Sequence, residues 1–158
     1  MKNKILCALG LLAITAACGD KAPEQPVADA AIKEPASAVL ERSASATGAR
    51  VFFISPADGE TVSNPINVVF GVEGMDVVAA GTDAPHSGHH HLLIDTGLPD
   101  LGLPIPKDAN HVHFGDGSTE TEITLAPGQH TLQMLLGDHL HIPHDPPLIS
   151  DPITIVVE

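Results

Sequence analysis

Three observations predict an all-β protein, a sandwich of two packed sheets with about seven strands, over residues 50–158. Short runs alternate apolar and polar side chains, and clusters of Gly, Pro, Asn and Asp separate them. No long stretch carries the 3.6-residue period of an amphipathic helix.

Ahead of that domain the chain opens "MKNKILCALGLLAITAACGD". Two lysines precede an apolar run, Ile5 to Ala17, that is shorter than the roughly 20 residues a membrane-spanning helix needs. It reads as a signal peptide over residues 1–17. "TAAC" before Gly19 resembles a bacterial lipobox, with Thr15 where that pattern usually has leucine. The resemblance implies lipidation of Cys18, and Gly19, where the inner-membrane retention signal has Asp, points to anchoring in the outer membrane facing the periplasm. A plain cut near Ala17, leaving a soluble periplasmic protein, is the alternative. Residues 18–49, rich in Ala, Pro and Glu, have too few large apolar residues to offset their ordering entropy and read as a disordered tether.

The chain has two cysteines, Cys7 in the signal peptide and Cys18 at the lipid site. The expected domain therefore has neither a disulfide nor a thiolate metal site. It carries fifteen acidic residues against two basic ones, Arg50 and Lys107. That balance argues against nucleic acid and anionic lipid surfaces and suits a cation. A merely soluble acidic surface fits it too.

The strands are "RVFFIS", "INVVFGV", "HHLLID", "HVHF", "TEITL", "HTLQML" and "ITIVV", with the turn-rich "PADGETVSNP" between the first two. "SPADGETVSNPINVVFGVEGM" resembles the first two strands of many bacterial immunoglobulin-like domains. "LAPGQHTLQMLLGD" with "LISDPITIVV" resembles their last hairpin. Alternation assigns faces. His90, Leu92 and Ile94 share one face of their strand, and His89, His91, Leu93 and Asp95 the other. Leu132, Met134 and Leu136 form a greasy face that His130 begins. Val112 and Phe114 point away from His111 and His113.

All ten histidines fall between His86 and His144. Three His-x-His pairs stand out: His89/His91, His111/His113 and His139/His141. On a strand, i and i+2 side chains project the same way about 6.5–7 Å apart. Two imidazoles so placed can converge on one ion at about 2.0 Å from each nitrogen. In "LGDHLHIPHDPP", Asp138, His144 and Asp145 flank the last pair as further ligands or as groups that orient a ring. Prolines stiffen that loop. His86 and His130 read as ordinary polar residues and His90 as a core histidine. The pairs themselves have a second reading, an imidazole–carboxylate network that only braces long loops.

With no thiol and only Met75 and Met134 beyond the signal peptide, a soft Cu(I) site is poorly supplied. Imidazole with carboxylate suits Cu(II), Zn(II) or Ni(II), with Cu(II) ahead by affinity order and Zn(II) by availability.

"GHHHLLID", "HVHFG" and "PGQHTLQMLLGDHLHIPHDPP" together resemble a bacterial family of small exported domains whose function is unassigned. The resemblance covers roughly Gly81 to Val157. It implies that His89, His90, His91, His111, His113, His130, His139, His141 and His144 belong to a family pattern, and it names no reaction.

Three functional readings follow. In the first, a lipid-anchored periplasmic module buffers or delivers Cu(II) or Zn(II) through His89, His91, His111, His113, His139 and His141, with Asp138, His144 and Asp145 in support. In the second, an envelope interaction or scaffold domain uses its histidines as structure or as a pH sensor; a periplasmic protein partner is left open. The third is a metal-dependent enzyme, cupin-like or dismutase-like. No Ser-His-Asp or paired-carboxylate arrangement supports a catalytic assignment.

Overall fold

A computed structural model describes residues 40–158. The expected signal peptide, Cys18 and the tether as far as residue 39 lie outside the described residues. The described chain contains nine strands and no helix: β1 (Arg50–Ser55), β2 (Thr61–Val62), β3 (Ile66–Glu73), β4 (Asp76–Val77), β5 (Ser87–Ile94), β6 (His111–His113), β7 (Glu120–Ile123), β8 (Gly128–Gly137) and β9 (Ile153–Val157). All seven expected strands form. The two additions, β2 and β4, are two-residue parallel pairings that dock turn-rich stretches against β9 and β5.

The strands make a three-stranded sheet, β1-β3-β7, and a six-stranded one, β2-β9-β8-β5-β4, with β6 also paired to β5. Val51, Ile66, Val68 and Phe70 from the small sheet meet Leu92, Ile94, Leu132, Met134, Leu136, Ile153 and Ile155 from the large one. Each such side chain contributes about 1.5–3 kcal/mol by leaving water. This is the sandwich core, and on β5 and β8 it lies on the face that alternation assigned.

Strand β5 departs from the simple inside–outside pattern, because all eight of its residues are buried. Its second face is roofed. Leu93 and Leu135 pack there against Ile105, with Leu101 and Ile149 alongside. Ile105 belongs to the long β5–β6 connection, and its N–H donates to the carbonyl of His141 at 2.8 Å. The roof thus ties the β5–β6 connection to the loop after β8. His89 and His91 lie beneath it.

The folded unit also begins earlier than Arg50, where the sequence had placed its start. The Asp145 N–H donates to Ser43 O at 2.9 Å and the Ser45 N–H to Asp145 O at 3.2 Å. Residues 42–46 have almost no large apolar side chains, so composition gave no sign of this. They are held by backbone hydrogen bonds instead.

Candidate metal centre

Cross-strand register builds the site. On the roofed face of the large sheet, His91 stands opposite His113 of β6 and Leu135 of β8, and His89 stands opposite Gly137. The loop after Gly137 then folds back and brings His141 over the same patch. The result is four imidazoles in mutual contact. Ring centroids are 4.8 Å apart for His89–His91, 4.9 Å for His89–His113, 4.8 Å for His89–His141 and 4.8 Å for His113–His141. His91 is 5.1 Å from His113 and 6.1 Å from His141. One ring nitrogen each from His89, His113 and His141 lie within 4.8 Å of one another. The Nε2 atoms of His113 and His141 are 3.1 Å apart. His89 and His91 are buried, while His113 and His141 are half-buried and form the rim.

Two glycines make the room. A Cβ on Gly115 would sit 2.3 Å from the His113 ring, and one on Gly137 would sit 2.8 Å from the His91 ring. Sequence reasoning did not mark either position, although the Gly that follows "HVHF" in the motif is the visible trace of the first.

The loop bearing His141 is organised by Asp138. Its Oδ1 accepts the N–H groups of Leu140 (2.8 Å) and Ile142 (3.0 Å). Its Oδ2 accepts the Ser43 hydroxyl at 2.8 Å. The His141 backbone is left-handed, with φ of 66°, a conformation that a non-glycine residue keeps only when its surroundings impose it. Burial pushes the Asp138 carboxyl up, but hydrogen bonds from Ile142, Ser43 and Leu140 together hold it below the usual carboxylate range.

Burial also decides the charge of His89, His91 and His113. It pushes His89 down to about 4, helped by His141 and His113, and His91 down to about 2, helped by His89 and His113. His113 is lowered by burial, then by His141 and Lys107. These imidazoles are therefore neutral at pH 7, the form that ligates a metal. Nε2 of His89 and Nδ1 of His91 are buried without a hydrogen-bond partner in the protein.

The other expected site residues stand apart. His111 shares the face of His113 but lies one strand step further on, beside Leu93, and its Nδ1 contacts Asp108 at 2.9 Å. His139 points to Asp83, 3.8 Å away. His144 is buried, with Nε2 at 3.0 Å from Ser87 O, and Asp145 faces Arg42 at 3.5 Å. Asp138 supports a loop backbone and forms no hydrogen bond to a ring. His90 lies in the sandwich core against Phe70, centroids 5.1 Å apart. His130 is pinned between Asp95 (2.7 Å) and Ala126 O (2.8 Å).

A family model described as a domain of unknown function, DUF4399, matches residues 68–158, a stretch that contains all four clustered histidines. No curated protein and no solved structure matches the chain.

Proposed function

The chain belongs to the DUF4399 family, a domain of unknown function, and we propose that it is a metal-binding module whose ion, Cu(II) or Zn(II), is held by His89, His113 and His141 with His91 adjoining. The observation that carries this reading is the convergence of imidazoles from all three His-x-His pairs, both of the first and one each of the others, on a single partly covered patch. Two ligand nitrogens at about 2.0–2.1 Å from a common ion lie roughly 2.9 Å apart at a right angle and roughly 3.3 Å apart at a tetrahedral one. The His113–His141 separation of 3.1 Å falls between these and is equally that of an N–H···N hydrogen bond between the two rings. A buried ring nitrogen without a partner, as in His89, costs about 1–3 kcal/mol, and an ion beside it would remove that cost. The donors are all imidazole, which suits borderline divalent ions and not Mg(II) or Ca(II). The half-buried rim leaves a path for exchange, which fits buffering or delivery. The expected address is the periplasm, by a lipid on Cys18.

The test is calorimetric titration of Cu(II) and Zn(II) into the full chain in detergent, stripped of metal beforehand. Dissociation constants of 1 μM or tighter, about 8 kcal/mol, are expected for at least one ion. His113→Ala with His141→Ala should weaken binding at least a hundredfold, while His111→Ala should change it less than threefold. Tight binding that survives the double substitution would place the ion elsewhere and sink the reading.

A further inference from the structure

The segment that precedes β1 is fastened to the loop that carries His141. Arg42 Nε donates to Pro143 O at 2.9 Å and its Nη2 donates to His144 O. Its Nη1 lies 3.5 Å from the Asp145 carboxylate. Ala44 and Asp145 form a parallel bridge, closed on both sides by the backbone hydrogen bonds of Ser43 and Ser45. Ser43 then reaches inward, and its hydroxyl donates to Oδ2 of Asp138.

Asp138 joins two systems. One carboxylate oxygen holds Ser43, and the other holds the N–H groups of Leu140 and Ile142, on either side of His141. The His141 N–H donates back to Asp138 O at 2.9 Å, and Asp138 N–H donates to Ile142 O at 2.9 Å. The left-handed His141 is therefore clamped from the Asp138 side, and Asp138 is itself buried.

We infer that residues 42–46 are a strap whose docking is coupled to ion occupancy of the histidine cluster, with Ser43 and Arg42 as its positioning residues. The inference rests on the metal-binding reading. A docked strap holds Asp138, Asp138 holds the loop, and the loop holds the His141 ring at its ligating position. Coupling between two equilibria is reciprocal, so an ion that fixes His141 must also favour the docked strap. Release of the five residues would lengthen the connection to the upstream chain by up to about 17 Å. A change in ion occupancy would thereby shift the docking equilibrium of residues 42–46.

The test uses the full chain in detergent with Zn(II) alone as the probe. Two quantities are read: Zn(II) affinity by competition with a chromophoric chelator, and amide exchange of Ser45 and Asp145 with and without Zn(II). In the wild-type chain Zn(II) should slow both amides about tenfold. Arg42→Ala with Ser43→Ala should abolish that protection and weaken Zn(II) binding about 5- to 20-fold. Ser43→Thr, which keeps the hydroxyl, should restore most of the affinity where Ser43→Ala does not. The single Ser43→Ala variant carries the test should the double variant fail to fold. Wild-type affinity in a variant whose Ser45 amide exchanges freely would overturn the strap and leave the metal reading standing. A wild-type chain that binds no Zn(II) and no Cu(II) would overturn both.

Discussion

His90 has neither ring nitrogen hydrogen-bonded within the protein, although it is fully buried. Burial lowers its pKa to about 4, so it sits in the core as a neutral, unsatisfied ring. Its neighbours on the same strand, His89 and His91, face the opposite side, and the three histidines accordingly have separate duties. Replacing a buried unpartnered polar group by an apolar one of similar size is neutral or stabilising. His90→Leu is expected to raise stability by about 1–3 kcal/mol in urea denaturation with metal affinity unchanged. A loss of stability would mean that the ring has a partner that matters. The rim makes a complementary point. Because a Cβ on Gly115 collides with the His113 ring, Gly115→Ala should displace that ring and weaken metal binding about tenfold, a loss of roughly 1.4 kcal/mol. Titration of that variant beside a melting curve separates a lost ligand from a lost fold.

Among the elements, β5 bears the heaviest demand, since both of its faces are covered. A slip of one residue would put His90 under the roof and His89 and His91 into the apolar core, so hydrophobic burial on one side specifies the site on the other. The seven principal strands, and the faces of β5, β6 and β8, were legible because a two-residue period is a local property of sequence. The strands β2 and β4 were not, being two residues each and held only by their partners. Nor could local periodicity choose within the His-x-His pairs. In β6 both histidines share a face, but Asp108 engages His111 and only His113 has His91 opposite. In the loop after β8 the i, i+2 rule does not apply, because His141 is left-handed and the backbone turns there. Asp138 sets that turn. Removing its carboxylate orphans the Leu140 and Ile142 N–H groups, so Asp138→Ala should cost about 2–3 kcal/mol of stability and weaken metal binding more than His111→Ala does. Equal affinities for the two variants would show that the loop keeps His141 in place without Asp138.

For the whole molecule, the histidines set the response to acid. His89, His90 and His91 titrate in the folded state far below the ordinary value near 6.5. Between those limits the unfolded chain binds more protons, so stability rises with pH there. The metal-free protein should thus be most stable above about pH 6.5 and lose stability steadily down to about pH 4, His90 alone accounting for about 3 kcal/mol. His130 acts in the opposite sense. Its pKa is raised, first by Asp95 and then by the Ala126 carbonyl, so its contribution is present in acid and fades as pH rises through its folded value. Urea midpoints from pH 4 to 8 test the balance, and a flat profile would contradict the buried, neutral histidines. A bound ion adds to this. At a free concentration one hundred times its dissociation constant it stabilises by about 2.7 kcal/mol, which should raise the melting temperature by roughly 10 °C and less at pH 5, where protons compete.

By itself the sequence determined the all-β class, the positions of the main strands, the apolar side of β5, β6 and β8, and the three histidine pairs that deserve suspicion. All of these follow from composition and a period of two, which neighbouring residues carry. The tertiary structure alone decided that both histidines of the first pair and one each of the others reach the cluster, that a roof of Leu101 and Ile105 buries the second face of β5, and that residues 42–46 belong to the fold. Each of those depends on contacts between segments distant in the chain, through cross-strand register, a closing loop and backbone hydrogen bonds that no side-chain pattern announces.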